Sequence, residues 1–277
     1  MMYRRFGWPI ALGLVLALVA AGCGKKSTPG GTPTETAQKL STKKPGFLTV
    51  GSCLNYKPFE FYEGNTLKGF DVEVMQEIAK RLNLKVEWVK ADFDTIFTAL
   101  AAGQFDAVAA ASTIKPERQQ VVDFSDPYYN ARQSLTVNTS KTPDITSTDQ
   151  LTSGQVVGVQ KGTTGKDWAE ANLGTKGIKV KTFTEITDAF TDLEAGQIVG
   201  IINDEPSSQS EVESRPGLKV VQPIDTGEFY GIAVGKDHKD ILDAINKSLK
   251  AMIDDGTYKT IFAKYFPGVP VPPQFGG

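Results

Sequence analysis

The feature that most constrains this chain is a strand–helix alternation that runs once and then starts again. Residues 48–54 read as an extended apolar strand, and 70–82 as a helix in which Val74, Ile78 and Leu82 recur at four-residue spacing beside Met75 and Ala79. That spacing lays one apolar face along a helix. Asp71 and Glu73 at its start and Lys80 and Arg81 at its end suit the helix dipole. A strand at 84–89, a helix at 94–102 closed by Gly103 and a buried strand at 105–110 complete an α/β unit. After Asn138 the order repeats as strand 156–159, helix 164–171, strand 178–183, helix 186–195 and strand 199–202. Leu100-Ala101-Ala102-Gly103-Gln104 is echoed by Leu193-Glu194-Ala195-Gly196-Gln197. Two similar α/β lobes follow, with one continuous sheet as the alternative. The end differs: a strand at 230–234, a long helix at 240–254 with Ile241, Ile245, Leu249 and Ile253 on one stripe, then a short helix at 258–265.

The start of the chain is of another kind. Arg4 and Arg5 precede an apolar run at 10–22 that ends Ala20-Ala21-Gly22, directly before Cys23. The run is shorter than the roughly 20 residues of a membrane span. Its positive start and small-residue end are those of a secretory signal. Cysteine immediately afterwards resembles the lipobox of bacterial lipoproteins, in which the signal is cut before the cysteine and the thiol carries lipid. Ala20 departs from that pattern, where Leu is commoner, and a plain signal peptide with an incidental cysteine is the alternative. Between 24 and 45 the only hydrophobes are Ala37 and Leu40, too few to offset the entropy of ordering. We read residues 1–22 as the signal and 23–45 as a flexible tether.

Removing residues 1–22 takes away two Arg and no acid, which leaves 255 residues with a formal charge near −4. That balance argues against nucleic acid, whose phosphates demand concentrated positive charge. Once Cys23 is lipidated, Cys53 is the remaining thiol and no internal disulfide can form; its simplest role is a small buried side chain.

Catalytic chemistry is hard to assemble from this chain. His238 is the single histidine and sits in a polar turn, and no cluster of His or Cys has metal-ligand spacing. Gly162-Thr163-Thr164-Gly165-Lys166 lacks the four-residue gap of a phosphate loop, and Asp167 stands where Ser or Thr should be. Neither a cofactor nor a metal is expected.

Several segments in order resemble the extracytoplasmic solute-binding proteins of family 3, which serve polar amino-acid uptake. They are Gly69-Phe70-Asp71-Val72-Glu73-Val74, then Gly103-Gln104-Phe105-Asp106, Thr113-Ile114-Lys115-Pro116-Glu117-Arg118 and Asp123-Phe124-Ser125-Asp126-Pro127-Tyr128. Gly158 to Thr164, Asn203-Asp204-Glu205-Pro206 and Gly231-Ile232-Ala233-Val234 continue the likeness, which covers nearly all of 46–266. It implies an α/β, two-lobed periplasmic-binding-protein type II fold with a central ligand cleft and two crossing hinge strands, here near 133–138 and 227–232. Lobe 1 would comprise 46–135 and 229–267, lobe 2 would be 136–228, and 268–277 would be a flexible tail.

The resemblance also implies the site. Arg118 corresponds to the family's carboxylate-binding Arg, which suits the forked donors of a guanidinium. Thr113 would add a hydroxyl and an N–H. Thr164 would donate from the start of a helix in the other lobe, where free N–H groups favour an anion. Gly162 would let backbone come close. Asp204 looks like the acid for the ligand ammonium, with helix capping as the alternative. Tyr56 and Phe93 would wall the ligand side chain, or else belong to the core. Ala111 stands where Ser or Gly is frequent, so it brings no side-chain donor. Gln160, with Lys161, borders the Gly-Thr-Thr turn and could read a polar or acidic side chain, while Lys115 would point outward. Cys53 replaces the Asp of many relatives that bind cationic amino acids or glutamine. This favours a neutral polar or acidic ligand, unless Glu60, Glu63 or Asp92 reaches into the pocket.

The function so implied is that of a monomeric, lipid-anchored receptor on the extracytoplasmic face of a bacterial membrane. It would capture an L-amino acid and hand it to an ABC permease, without a catalytic step. The alternatives are a ligand-sensing receptor subunit and a dehydratase of small carboxylic acids.

Overall fold

The computed structural model describes residues 40–277; the signal at 1–22, Cys23 and the tether as far as 39 lie outside the described residues. The chain runs through β1 (Phe47–Ser52), β2 (Phe61–Glu63), β3 (Thr66–Lys68), α1 (Phe70–Arg81), β4 (Lys85–Lys90), α2 (Ile96–Ala101) and β5 (Ala107–Val108). It continues with α3 (Pro116–Gln119), β6 (Val122–Phe124), β7 (Tyr129–Asn138), β8 (Val156–Gln160), α4 (Thr164–Asn172), β9 (Lys179–Phe183), α5 (Ile186–Ala195) and β10 (Gly200–Asp204). It closes with α6 (Glu205–Val212), β11 (Leu218–Tyr230), β12 (Ala233–Gly235), α7 (Lys239–Asp254) and α8 (Thr257–Tyr265).

Two five-stranded sheets result, in the orders β4-β1-β5-β12-β6 and β11-β7-β10-β8-β9. The alternative of one continuous sheet is thereby excluded. In the first, β1 runs parallel to both β4 and β5, and β12 antiparallel to β5 and β6. In the second, β8 runs parallel to β9 and β10, and β7 antiparallel to β10 and β11. β1 is buried from Leu48 to Ser52 because a parallel inner strand is covered on both faces. Val74, Met75, Ile78 and Ala79 of α1 turn into the same core.

The hinge is the long antiparallel pair β7–β11. It pairs Tyr129 with Tyr230 beside the first sheet and Asn138 with Leu218 in the second. The register slips between Ile224 and Glu228, and such bulges re-aim side chains. The strand expected at 230–234 is broken: β11 ends at Tyr230, and β12 begins at Ala233 in the other sheet.

Two terminal expectations need correction. The 268–277 tail is packed, not free: Phe275 is buried, with its ring 5.7 Å from that of Tyr258. One aromatic anchor suffices where the Pro/Gly-rich sequence shows no periodicity. The last tether residues are also tied down. The Ser41 N–H donates to Asp240 and the Lys43 N–H to Asp106, both at 2.7 Å.

Candidate functional site

Arg118 lies on the short helix α3, which Pro116 opens with a φ already suited to a helix. Its side chain is buried at 6% exposure. Nη1 donates to the Thr113 carbonyl at 2.7 Å, and Nη2 reaches the Gly162 carbonyl of the opposite lobe at 3.1 Å. The guanidinium lies over the rings of Phe93, at 5.1 Å, and Phe97, at 4.6 Å. Burial lowers its pKa to about 10, against the pull of Asp204 and Glu228, so it stays charged at neutral pH.

Asp204 faces it from the end of β10. It precedes α6 but makes no capping bond. Instead its carboxylate accepts from Tyr56 Oη at 2.7 Å and from Gln133 Nε2 at 2.5 Å. Burial, then the nearby Glu228, raises its pKa to about 6. Arg118 and Asp204 thus bring opposite charges to one cavity from the two lobes.

Glu228 was not legible as a site residue. Set just after the β11 register slip, its Oε2 accepts from Thr113 Oγ1 at 2.9 Å and from Thr164 Oγ1 at 2.8 Å. A hydroxyl has one hydrogen. With both hydrogens directed at Glu228, Thr113 and Thr164 offer lone pairs to the cavity. Sequence reasoning had these hydroxyls donating to a ligand carboxylate; the geometry makes them acceptors, suited to an ammonium. Donors for a carboxylate are then Arg118 and the leading N–H groups of α4, which have no intrahelical partner.

Tyr56, Phe93, Ala111, Thr113, Arg118, Gln160, Thr164 and Asp204 all line this cavity, eight of the nine expected positions. Gly162 does not. Its φ is +78°, and an added Cβ would lie 2.8 Å from Cα of Asp94, so the close approach it permits is between lobes. Ala111 holds φ 46°, and its N–H donates to Asp71 at 2.8 Å, which leaves only its carbonyl for the cleft. Asp71 lies in the first turn of α1 as expected, and there it is a buried acceptor. Gln160 Nε2 donates to the Thr184 carbonyl at 3.0 Å, and Lys161 pairs with Asp94 at 2.7 Å. Lys115 does not point outward but pairs with Asp167 across the cleft at 2.7 Å.

Cys53, Glu60, Ala110 and Thr163 also line the cavity. Of the three acids flagged in the sequence, Glu60 alone reaches it; Glu63 is exposed and paired with Lys68, and Asp92 is exposed. The closed cavity gives the centre of a water-sized sphere about 20 Å³. That is room for about one water. An amino acid can enter only when the lobes part. Among the described residues no group of three or more His, Cys, Asp or Glu is placed to hold a metal, and no helix is long and apolar enough to cross a membrane.

Residues 48–268 match the family described as bacterial extracellular solute-binding proteins, family 3. A probable histidine-binding protein of Campylobacter jejuni is 32% identical, over 84% of this chain and 90% of its own. The arginine-binding extracellular protein ArtP of Bacillus subtilis is 30% identical, over 91% of this chain and 98% of its own. Among solved structures, an ancestral arginine-binding protein bound to arginine superposes with a TM-score of 0.74 at 38% identity, covering 80% of this chain and 98% of that one.

Proposed function

The chain belongs to the bacterial extracellular solute-binding proteins of family 3, and on that premise we propose that it is a lipid-anchored receptor which closes on an L-amino acid and delivers it to an ABC permease. The observation that carries the reading is Arg118 and Asp204 facing one closed cavity from opposite lobes. An α-amino acid presents a carboxylate and an ammonium on one carbon. Arg118 and the first N–H groups of α4 would take the carboxylate. Asp204, with the Thr113 and Thr164 hydroxyls turned acceptor by Glu228, would take the ammonium.

The zwitterion spans both lobes, so its contacts coexist only when the cleft is closed and shift the hinge equilibrium that way. No step of this reading breaks a covalent bond. Cys23 would fix the module to the outer face of the cell membrane; an unmodified N-terminus in membrane-extracted protein would refute that part.

The preference for a neutral polar or acidic side chain rested on Cys53 and on Gln160 and Lys161 being free to read one. Both of the latter are engaged elsewhere, an acid does line the pocket, and the relatives are named for histidine and arginine. The direct test is calorimetry of unfolded-and-refolded protein against the twenty L-amino acids and cystine, since refolding strips carried-over ligand. Saturable binding of at least one L-amino acid, lost when its α-carboxylate is amidated, supports the reading. Heat with none of them sinks it.

A further inference from the structure

Gln133 ties the acids at the hinge side of the cleft together. It lies on the hinge strand β7 and is 1% exposed. Its Nε2 donates to Asp204 Oδ1 at 2.5 Å, and also reaches Thr164 Oγ1 at 3.4 Å and Glu228 Oε2 at 3.5 Å. An amide nitrogen carries two hydrogens. One goes to Asp204, and the other is shared between Thr164 and Glu228.

Strand register builds this arrangement. Asp204 on β10 pairs directly with Gln133. Residues directly opposite share a face of the sheet, so the two side chains are neighbours. Glu228 on β11 pairs with Ala131, two residues along β7 and therefore on the same face. The register slip after Ile224 puts it there. Three strands of one sheet thus set acid, amide and acid side by side, and this row does not depend on the lobes being closed.

One orientation of the amide fits. Turned over, its oxygen would face a carboxylate oxygen at 2.5 Å with no hydrogen between them. As placed, Oε1 is buried without a partner against the first turn of α4, where a Cβ on Gly165 would lie 2.7 Å from it. The positive end of a helix suits a carbonyl oxygen. Gly165, which closes the Gly-Thr-Thr-Gly run, leaves room for it.

We propose that Gln133 is a positioning residue of the ammonium site, whose amide separates Asp204 from Glu228 and holds Asp204 in its charged form toward the cleft. This rests on the amino-acid reading of the cleft, in which Asp204 takes the ligand ammonium. Around Asp204 stand Glu228 and Tyr230 from β11, Tyr129 from β7, Tyr56 and Glu60 from the segment after β1, and Arg118 from α3. Burial and Glu228 favour the protonated acid, whereas Gln133 and the neighbouring tyrosines favour the carboxylate. Tyr56 belongs to the other lobe and moves away when the cleft opens, while Gln133 stays on the same sheet as Asp204.

The test uses Gln133→Leu, which is similar in size and has no donor. Carbon NMR follows the Asp204 carboxyl in ligand-free protein, with Asp204→Asn to assign its signal. Its midpoint should rise by about one pH unit in Gln133→Leu. Calorimetry with L-arginine and L-glutamine, whose side chains do not titrate between pH 6 and pH 8, should show a loss of affinity about fivefold larger at pH 6 than at pH 8. Asp71 titrates over the same range in both proteins and cancels from the comparison. Gly165→Ala, which crowds Oε1, should move the midpoint the same way by less. An unmoved midpoint, or equal losses at the two pH values, would overturn the proposal and leave an amino-acid receptor intact, since a merely structural role weakens binding at every pH. If the wild type binds neither probe, the midpoint decides. Heat with none of the twenty L-amino acids would remove the receptor reading, and this role with it, even where the midpoint moves. Should Gln133→Leu not fold, Gln133→Met must show the same two shifts or the proposal falls.

Discussion

The two lobes are built on similar sheets but filled with different matter. Lobe 1 is aromatic: the rings of Phe59 and Tyr129 meet edge-on at 5.2 Å, as do those of Phe70 and Phe266 at 5.2 Å, while Phe262 and Phe266 are tilted at 4.8 Å. Lobe 2 is filled by Leu135, Val137, Val157, Val159, Ile178 and Ile202. Lobe 1 carries the buried ionisable groups Glu60, Asp71 and Arg118, and burial pushes the two acids up from the ordinary carboxylate range. The aliphatic lobe brings backbone N–H groups, short hydroxyls and one acid, Asp204. Large interlocked rings hold side chains in single rotamers, which is what recognition by a buried charge requires. On the proposed function, lobe 1 would set what binds and lobe 2 how well the cleft closes on it.

The largest expected effect comes from removing the lobe 1 clamp. Arg118→Ala should weaken the best-binding amino acid by about 2–5 kcal/mol, much of it from a ligand carboxylate left poorly paired. Because Arg118 also bonds the Gly162 carbonyl, ligand-induced compaction in small-angle scattering should fade with it. Near-normal affinity with normal compaction would show that the charge asymmetry between the lobes has no bearing on binding.

The next effect treats both lobes alike, and so tests where the asymmetry stops. Asp71 in lobe 1 and Asp204 in lobe 2 both have folded pKa values of about 6, raised first by burial. Between the unfolded value near 4 and about 6 the folded state holds more protons, so stability must fall as pH rises through that window. The loss is up to about 3 kcal/mol for Asp71 and less for Asp204, which is partly exposed. Asp255, lowered to about 2, contributes stability that is lost only as pH falls toward 2, outside the window. Urea midpoints of ligand-free protein should therefore be higher at pH 4.5 than at pH 7. An amino acid whose ammonium pairs with Asp204 needs the ionised form, so its affinity should rise over the same interval. A flat urea profile would mean that these acids are better solvated than their surroundings imply.

How much of this was legible in the sequence follows the same division. Elements with strong periodicity were readable: the helix expected at 186–195 is α5, and those at 70–82 and 240–254 differ from α1 and α7 by one residue at an end. Two α/β lobes followed from the repeated order of elements, with one continuous sheet left as the alternative, and the crossing hinge strands came from the family resemblance. Glu228 was hidden because the register slip after Ile224 breaks the alternation that tells inward from outward positions. Glu60 and Asp71 look like any solvated acids until the α1 N-terminus is seen packed on the turn before it. The direction in which a hydroxyl donates, as at Thr113 and Thr164, is set by a residue far away in sequence, and composition carries no trace of it.

A smaller effect is expected at the lobe 2 face that meets lobe 1. Gly162→Ala places a Cβ 2.8 Å from Cα of Asp94 and forces a non-glycine residue to φ +78°. The left-handed backbone alone costs about 1–2 kcal/mol. It would be felt in both open and closed forms, whereas the clash exists only in the closed one. Affinity should therefore drop about tenfold through faster release, with selectivity among ligands unchanged. A change in ligand ranking would mean that lobe 2 reads the side chain as well, and the division between the lobes would need redrawing.

The smallest effect is expected at Thr164. Its hydroxyl is one of two that Glu228 holds, and Thr113 supplies the other from lobe 1. The α4 N–H groups that would meet a carboxylate belong to the backbone and survive substitution. Thr164→Ala should thus cost about 1 kcal/mol or less in binding, the net worth of one neutral hydrogen bond. Thr113→Ala should cost a similar amount, because the carbonyl that accepts from Arg118 and the bridge to Tyr230 are backbone and survive substitution. Titration of the two variants with one ligand decides the matter. If Thr164→Ala is the more damaging, the lobe 2 hydroxyl donates to the ligand after all, and Glu228 must turn away from it when the cleft is filled.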